Sequence, residues 1–307
     1  RIMGTTAERP TGVPKGFIYY DTTVNTPIYW DGEDWVYHGV LNIKNFGAKG
    51  DGVTNDTKAI QGALNIAKSN GKLRLYIPEG VYNTTTLRLY KNSYISLHPN
   101  AVIKRVGKGG KVFINGDVGD TEYANGFNGE GNIHFYGGVI DLNTIDAPIS
   151  LDRGTSAFDL AHAENISFRH LTIINGQNGH YFQLSSCKDV LFDGCWFGNV
   201  RHTNKFNTNF ELIQIEVATK LSFPTFGGYD GTTSSDITIQ NSHFENIIRA
   251  VGTHSYVKDK DGVTPLYNNG ENIRITNNTF KNSSSYIGSF VAFDGVVFEN
   301  NRIIGNA

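Results

Sequence analysis

A chain of 307 residues has room for one large core or two ordinary domains. Its formal net charge of −2 and pI near 6.5 give no electrostatic case for nucleic acid or an anionic membrane surface. No run of about 18 apolar residues occurs, which excludes a helical membrane span, and 35 glycines in a chain only 18% charged fit a turn-dense, all-β protein.

Residues 1–40 carry Trp30 and Trp35 with Tyr19, Tyr20 and Tyr29, in short alternating segments around "DTTVNTP" and "WDGEDW". They read as one or two β-hairpins. Forty residues bury little surface alone, so this stretch is expected to pack on the rest of the chain or on sister chains, or to be a linker. Next, "NIKNFGAKGDGVTNDTKAIQGAL" (42–64) sets three glycines ahead of a helix. The loop has neither GxGxxG spacing nor a G-K-[ST] ending, so it is not a nucleotide cradle. The helix is expected over 55–70, capped by Asp56 and Thr57, with Ala59, Ile60, Ala63, Leu64 and Ala67 on one face and Gly71 as its stop. "LRLYIPEGVY" (73–82) and "SYISLHP" (93–99) then alternate like strands. Cys187 and Cys195 are too few for a disulfide scaffold and lack metal-site spacing, so both are expected as buried thiols.

The run from Phe46 to Ile60, together with "IPEGVY", resembles the entry signature of pectate-lyase-like parallel β-helix proteins, a group that includes polygalacturonase relatives and phage tailspikes. The resemblance implies an all-β, single-stranded right-handed parallel β-helix with an N-terminal capping helix. Upstream, residues 4–36 are similar to a short module of phage tail and appendage proteins. That second resemblance implies a homotrimer on a virion tail, in contact with other tail proteins and acting outside the cell. The expected organisation is a small β module over 1–40, an entry segment over 41–92 and the β-helix over 93–307. Solenoid ends need covering, and the repeat runs to Ala307 with no evident cap. The chain is therefore expected to be a fragment of a longer protein, or to have that end covered by other subunits. The Asp-Asp pair on a strand that polygalacturonases use has no counterpart here, which disfavours pectin as the substrate.

The repeat is visible in the residues themselves. "NISFRHLTIIN" (165–175), "DVLFDGCWFGN" (189–199), "DITIQNSHFEN" (236–246), "NIRITNNTFKN" (272–282) and "GVVFENNRIIG" (295–305) align without gaps, the mark of a solenoid. Their last position reads Asn175, Asn199, Asn246, Asn282 and Gly305, which predicts a structural asparagine ladder at one turn. Between copies lies a second strand per coil, in "AFDLAH", "YFQLSS", "LIQIEVA", "AVGTHS" and "YIGSFVA". Alternation turns Phe158, Leu160, Phe182, Leu184, Ile213, Ile215 and Val251 inward. The longer intervals carry insertions at 200–209, 219–235 and 256–271, placed like the walls of a groove.

Outward, the same strands stack Asp159, Gln183 and Gln214 in one column, and Ser185, Glu216 and His254 in the next. Coil spacing puts Asp159 and Gln214 about 10 Å apart and makes Glu216 and His254 neighbours. Loops bearing Tyr229, Asp230, Tyr256 and Tyr267 flank this face, with Glu211, Arg249 and His180 nearby. Planar hydrogen-bonding side chains between aromatic walls suit a sugar polymer. Three chemistries fit. Two carboxylates, Glu216 with Asp230 or with Asp159, could hydrolyse a glycosidic bond. His254, Glu216 and Asp230 could hold a divalent cation for a teichoic-acid phosphodiester. Elimination ranks last, because Arg249 is nearly alone as a basic group. The expected catalytic set is thus Glu216, Asp230, Asp159 and His254, and the expected substrate contacts are Gln183, Gln214, Glu211, Arg249, Tyr229 and Tyr256. The expected function is binding, and hydrolytic depolymerisation, of a bacterial surface polysaccharide or teichoic acid. The alternatives are a non-catalytic adhesin of the same fold and a bacterial polysaccharide hydrolase or lyase.

Overall fold

The structure is a computed structural model that describes residues 2–23, 25–37, 39–119, 125–151, 153–201, 210–224 and 229–305. Among these residues the chain winds into a parallel β-helix. Its coils lay strands into three parallel sheets of nine, nine and seven strands. One coil shows the pattern: Glu164–Arg169 joins the first sheet, Thr172–Ile174 the second and Phe182–Ser185 the third. The next coil repeats it in register, pairing Ile166 with Val190, Ile173 with Phe197 and Phe182 with Ile213.

The turns explain why the chain keeps coiling. A sharp corner needs a residue at positive φ, and asparagine tolerates that region better than other side chains. Asn175, Asn199, Asn246 and Asn282 all sit there, between 54° and 60°. Asn282 Nδ2 donates to Asn246 Oδ1 at 3.1 Å and Asn246 to Asn199 at 3.4 Å, so the expected ladder is present over these three, whereas Asn175 donates to Asp141 Oδ1 at 2.9 Å. A second ladder runs from Asn165 to Asn132 to Asn92, at 3.0 and 2.7 Å.

Inside, like residues fall on like residues. Phe113, Phe158 and Phe182 stack at 4.9 and 5.1 Å with nearly parallel rings, and Phe168 stacks on Phe192 at 5.2 Å. Phe158, Leu160, Phe182, Leu184, Ile213, Ile215 and Val251 all lie in this continuous core, facing inward as expected. Cys187 and Cys195 are buried and unpaired as a disulfide; burial pushes their thiols up to about 12 and about 11.

One helix, Thr57–Asn70, covers the first coil with Ile60, Ala63, Leu64, Ile66 and Ala67. Asp56 does not cap it through its side chain, contrary to expectation. Its carboxylate instead accepts the N–H groups of Lys49 (2.7 Å) and Gly50 (2.9 Å), clasping the glycine loop, while Asn55 Oδ1 accepts the Thr57 N–H at 3.0 Å. The glycine loop therefore serves entry into the solenoid. Upstream, a four-stranded sheet of Met3–Gly4, Ile18–Asp21, Thr26–Trp30 and Trp35–Tyr37 seats Tyr19 and Ile28 in the core shared with the solenoid.

Candidate functional site

The third sheet contains Ser156–Ala161, Phe182–Ser185, Glu211–Glu216, Arg249–Thr253 and Gly288–Phe290. Register stacks Asp159 on Gln183 on Gln214, and Ser185 on Glu216, as alternation predicted. One departure from alternation shapes the site. The N–H groups of Ala157 and Phe158 both reach Tyr181 O (3.1 and 2.9 Å), and those of Ala250 and Val251 both reach Ile287 O (3.0 and 3.1 Å). Two N–H groups sharing one carbonyl is bulge geometry. It lets two successive residues per coil enter the core: Ala157 and Phe158, Tyr181 and Phe182, Leu212 and Ile213, Ala250 and Val251. Strict alternation from Ile213 would have turned Glu211 inward; the bulge brings it to the face that carries Gln214 and Glu216.

Two carboxylates organise that face. Glu216 accepts from Gln183 Nε2 (2.9 Å) and Ser185 Oγ (3.1 Å) on one oxygen, and from Gln214 Nε2 (2.6 Å) on the other. Glu211 accepts from Arg249 Nη1 at 3.0 Å and from His254 Nδ1 at 2.8 Å. The expected Glu216–His254 pairing is thus replaced by a Glu211–His254 pairing. His180 stacks on His254 at 5.9 Å, and its Nδ1 lies 2.6 Å from the Glu211 carbonyl oxygen. Glu211 is fully buried and Glu216 is 5% exposed, while the His254 side chain is 27% exposed. His254 is a partly exposed member of the cluster, as are His180 and Gln183. Gln214 Oε1 is buried without a hydrogen-bond partner among the described residues.

The electrostatics follow from these contacts. Burial pushes the Glu211 carboxyl upward, but the His254 hydrogen bond and the charges of His180 and His254 outweigh it and hold Glu211 below the ordinary carboxylate value. Burial pushes His180 below the ordinary histidine value, against the upward pull of Glu211 and Glu216.

Other expected site residues have different duties. Asp159 is fully buried, ion-paired with Lys111 and hydrogen-bonded by Ser156 Oγ. Its neighbour Lys111 lies 5.9 Å over the Phe223 ring, so loop residues close this end of the column. Asp230 accepts the Gly126 N–H at 2.6 Å, the Thr232 N–H at 3.0 Å and the Thr232 hydroxyl at 2.7 Å. Burial alone would raise its pKa; these donors and nearby His162 hold it low. It staples two loops. Tyr229 donates to Phe223 O at 2.8 Å and packs with Phe223, Ile114 and Ala161 as part of a cover. Tyr256 donates to Val263 O at 2.9 Å within its own loop, and the Tyr267 ring packs against Gly231. His254, Glu216 and Asp230 do not converge as a cation shell, and no group of three such ligands does among the described residues. The loop segments 202–209 and 225–228, part of the expected groove walls, lie outside the described residues. His180, placed by the sequence only near this face, joins the cluster through its Nδ1 contact with the Glu211 carbonyl oxygen and its stacking on His254.

Fold and site together define a parallel β-helix with a buried polar cluster on the outer face of one sheet. Residues 40–200 match the family described as rhamnogalacturonase A/epimerase, pectate lyase-like, and the chain belongs to that family. It is 29% identical over 285 residues to plasmin and fibronectin-binding protein A of Streptococcus pneumoniae, covering 85% of this chain and 39% of that protein. It is 38% identical over 108 residues to alginate lyase 7 of Azotobacter vinelandii, covering 34% of this chain and 12% of that one. The chain therefore spans well under half the length of these relatives. Among solved structures, that of PfbA, a surface adhesin of Streptococcus pneumoniae, superposes with a TM-score of 0.73 at 27% identity, over 86% of this chain and 62% of that one. A Yersinia enterocolitica family 28 exopolygalacturonase superposes at 0.57 and 17% identity, over 90% of this chain and 55% of that one, a likeness of fold alone.

Proposed function

We propose that this chain is the polysaccharide-recognising β-helix of an extracellular appendage, and that the Glu211–His254 pair performs acid–base chemistry on a bound sugar polymer. The observation that carries this reading is the burial of Glu211 and Glu216 on the outside of a sheet, where solvation alone would leave carboxylates exposed. Glu211 fixes Nδ1 of His254 as the donor, which leaves Nε2 to exchange a proton with the ligand. Glu216, ordered by Gln183, Ser185 and Gln214, is the second carboxylate for glycosidic hydrolysis.

The second reading is a non-catalytic adhesin. It is favoured by the match to a pneumococcal protein whose name records binding of plasmin and fibronectin, and to a structure described as a surface adhesin. Placement on a phage tail, with the trimer and virion partners that go with it, rests on the resemblance of residues 4–36. The test is incubation with capsular polysaccharide, teichoic acid and uronate polymers, followed by chain length and reducing ends. Shortening with new reducing ends, lost in Glu211→Gln and His254→Ala, supports hydrolysis; binding with chain length unchanged supports the adhesin. Product with an unsaturated uronate end would move the reaction to elimination.

A further inference from the structure

A cavity of about 410 Å³ lies where the front sheet meets the first coil, far along the chain from the third-sheet cluster. That volume falls within the range of about 300–1,000 Å³ typical of small-ligand sites. We propose that this joint is a second saccharide site, which takes an acidic sugar residue such as a uronate.

The apolar side of the cavity is rigid. Trp35 is wedged by Phe17 at 6.2 Å, Tyr19 at 5.7 Å and Trp30 at 5.7 Å, so its ring is a fixed platform beside Tyr29. A held aromatic face stacks on the C–H face of a pyranose at low entropic cost. The wall is tied to the solenoid by Tyr37, whose hydroxyl accepts the Arg74 N–H at 2.8 Å and donates to Lys72 O at 3.2 Å.

The polar side is made of donors. Lys72 and Arg74 are both exposed, and neither has an ion-pair partner among the described residues. Asp31, the carboxylate in the lining, accepts the N–H groups of Glu33 and Asp34 on one oxygen, Oδ1, at 2.9 and 2.7 Å. Two cations against this one carboxylate leave the polar side positive, and beside the aromatic platform they match a sugar that carries a carboxylate.

The test is titration of the full chain with short oligomers of galacturonate, of mannuronate–guluronate and of hyaluronan, read by calorimetry and tryptophan fluorescence. Neutral galacto-oligosaccharide and polyglutamate serve as controls. At least one uronate oligomer is expected to bind, and the Lys72→Gln/Arg74→Gln double variant to weaken it at least about tenfold, the loss of charged hydrogen bonds. Trp35→Phe, which keeps an aromatic ring, is expected to weaken it less. Absence of binding across the panel, equal binding by the Lys72/Arg74 double variant, or equal binding of polyglutamate would each overturn the proposal.

Discussion

His254 Nδ1 lies 2.8 Å from Glu211 Oε2, although the two residues are 43 positions apart in the chain. The coil above supplies the imidazole and the coil below the carboxylate. Neither strand holds both parts, so the pair exists only while the solenoid is stacked. If the pair is the catalytic unit, Glu211→Gln removes the charge that orients the ring while keeping its shape. Activity on a cleaved polymer is expected to fall by about 10²-fold or more, as for loss of a general acid–base partner, and the melting temperature to fall as well, because buried Arg249 loses its carboxylate partner.

Glu216 should behave differently, because it is a hydrogen-bond hub. Truncation in Glu216→Ala strands Gln183, Ser185 and Gln214, three donors on a face where Gln214 and Ser185 are buried. The expected cost is about 2–4 kcal/mol, from the penalty of about 1–3 kcal/mol for each unsatisfied buried group, partly relieved by relaxation. Glu216→Gln keeps an acceptor and should recover most of that in denaturant unfolding. Equal destabilisation by the two variants would show that the hub does not hold the face together.

Much of this was legible in the sequence, and the part that was not has two causes. The gapless copies from 165 to 305 predicted register, and Gln183 stacks on Gln214 as they require. Period-two alternation then placed Gln214 and Glu216 outward. It could not reveal the bulge before Phe158, Ile213 and Val251, because "FELIQ" and "IRAVG" read equally well as regular strands. Glu211 and His180 were therefore expected only near that face and not in its columns. Asp159 and Asp230 failed for another reason: sequence pattern says that a carboxylate is near a face, but not that Lys111 or the Gly126 and Thr232 amides have already claimed it.

Stability should decline on acidification through two groups in the same cluster. His180 has its folded pKa below the ordinary value, so the unfolded chain takes up a proton that the folded chain refuses. Its contribution is complete above the ordinary histidine value of about 6.5 and is lost as pH falls through and below it. Glu211 is also held low, so its contribution persists above the ordinary carboxylate value and disappears as pH falls through the lowered one. His180→Gln should flatten the melting-temperature profile in the upper window only, and Glu211→Gln in the lower one only. Unchanged slopes in both variants would place the acid sensitivity elsewhere.

Arg105 is fully buried, and its guanidinium is met by carbonyls rather than by a carboxylate. Leu142 O lies at 2.6 Å, Gly107 O at 2.8 Å and Gly109 O at 2.9 Å, with Ala147 O also in contact. The guanidinium thereby pins two loops, the one after its own strand through Gly107 and Gly109 and the one after the strand Val139–Asp141 through Leu142 and Ala147. Arg105→Met fills the volume but leaves those carbonyls unpaired, and should cost about 3 kcal/mol. Limited proteolysis of the variant should cut first within 142–151.

Gly50 tests the entry loop. Its φ is 60°, and an added Cβ would lie 2.6 Å from the Tyr82 ring, which is itself buried in the core. Gly47 also has positive φ, at 91°, but an added Cβ there meets nothing within 4 Å. Gly47→Ala should therefore cost only the left-handed backbone penalty of about 1–2 kcal/mol, whereas Gly50→Ala should cost that plus displacement of Tyr82. The difference between the two midpoints in urea isolates the packing part. A Gly50→Ala variant no less stable than Gly47→Ala would mean that the Tyr82 ring moves freely, and that the loop does not lock the first coil.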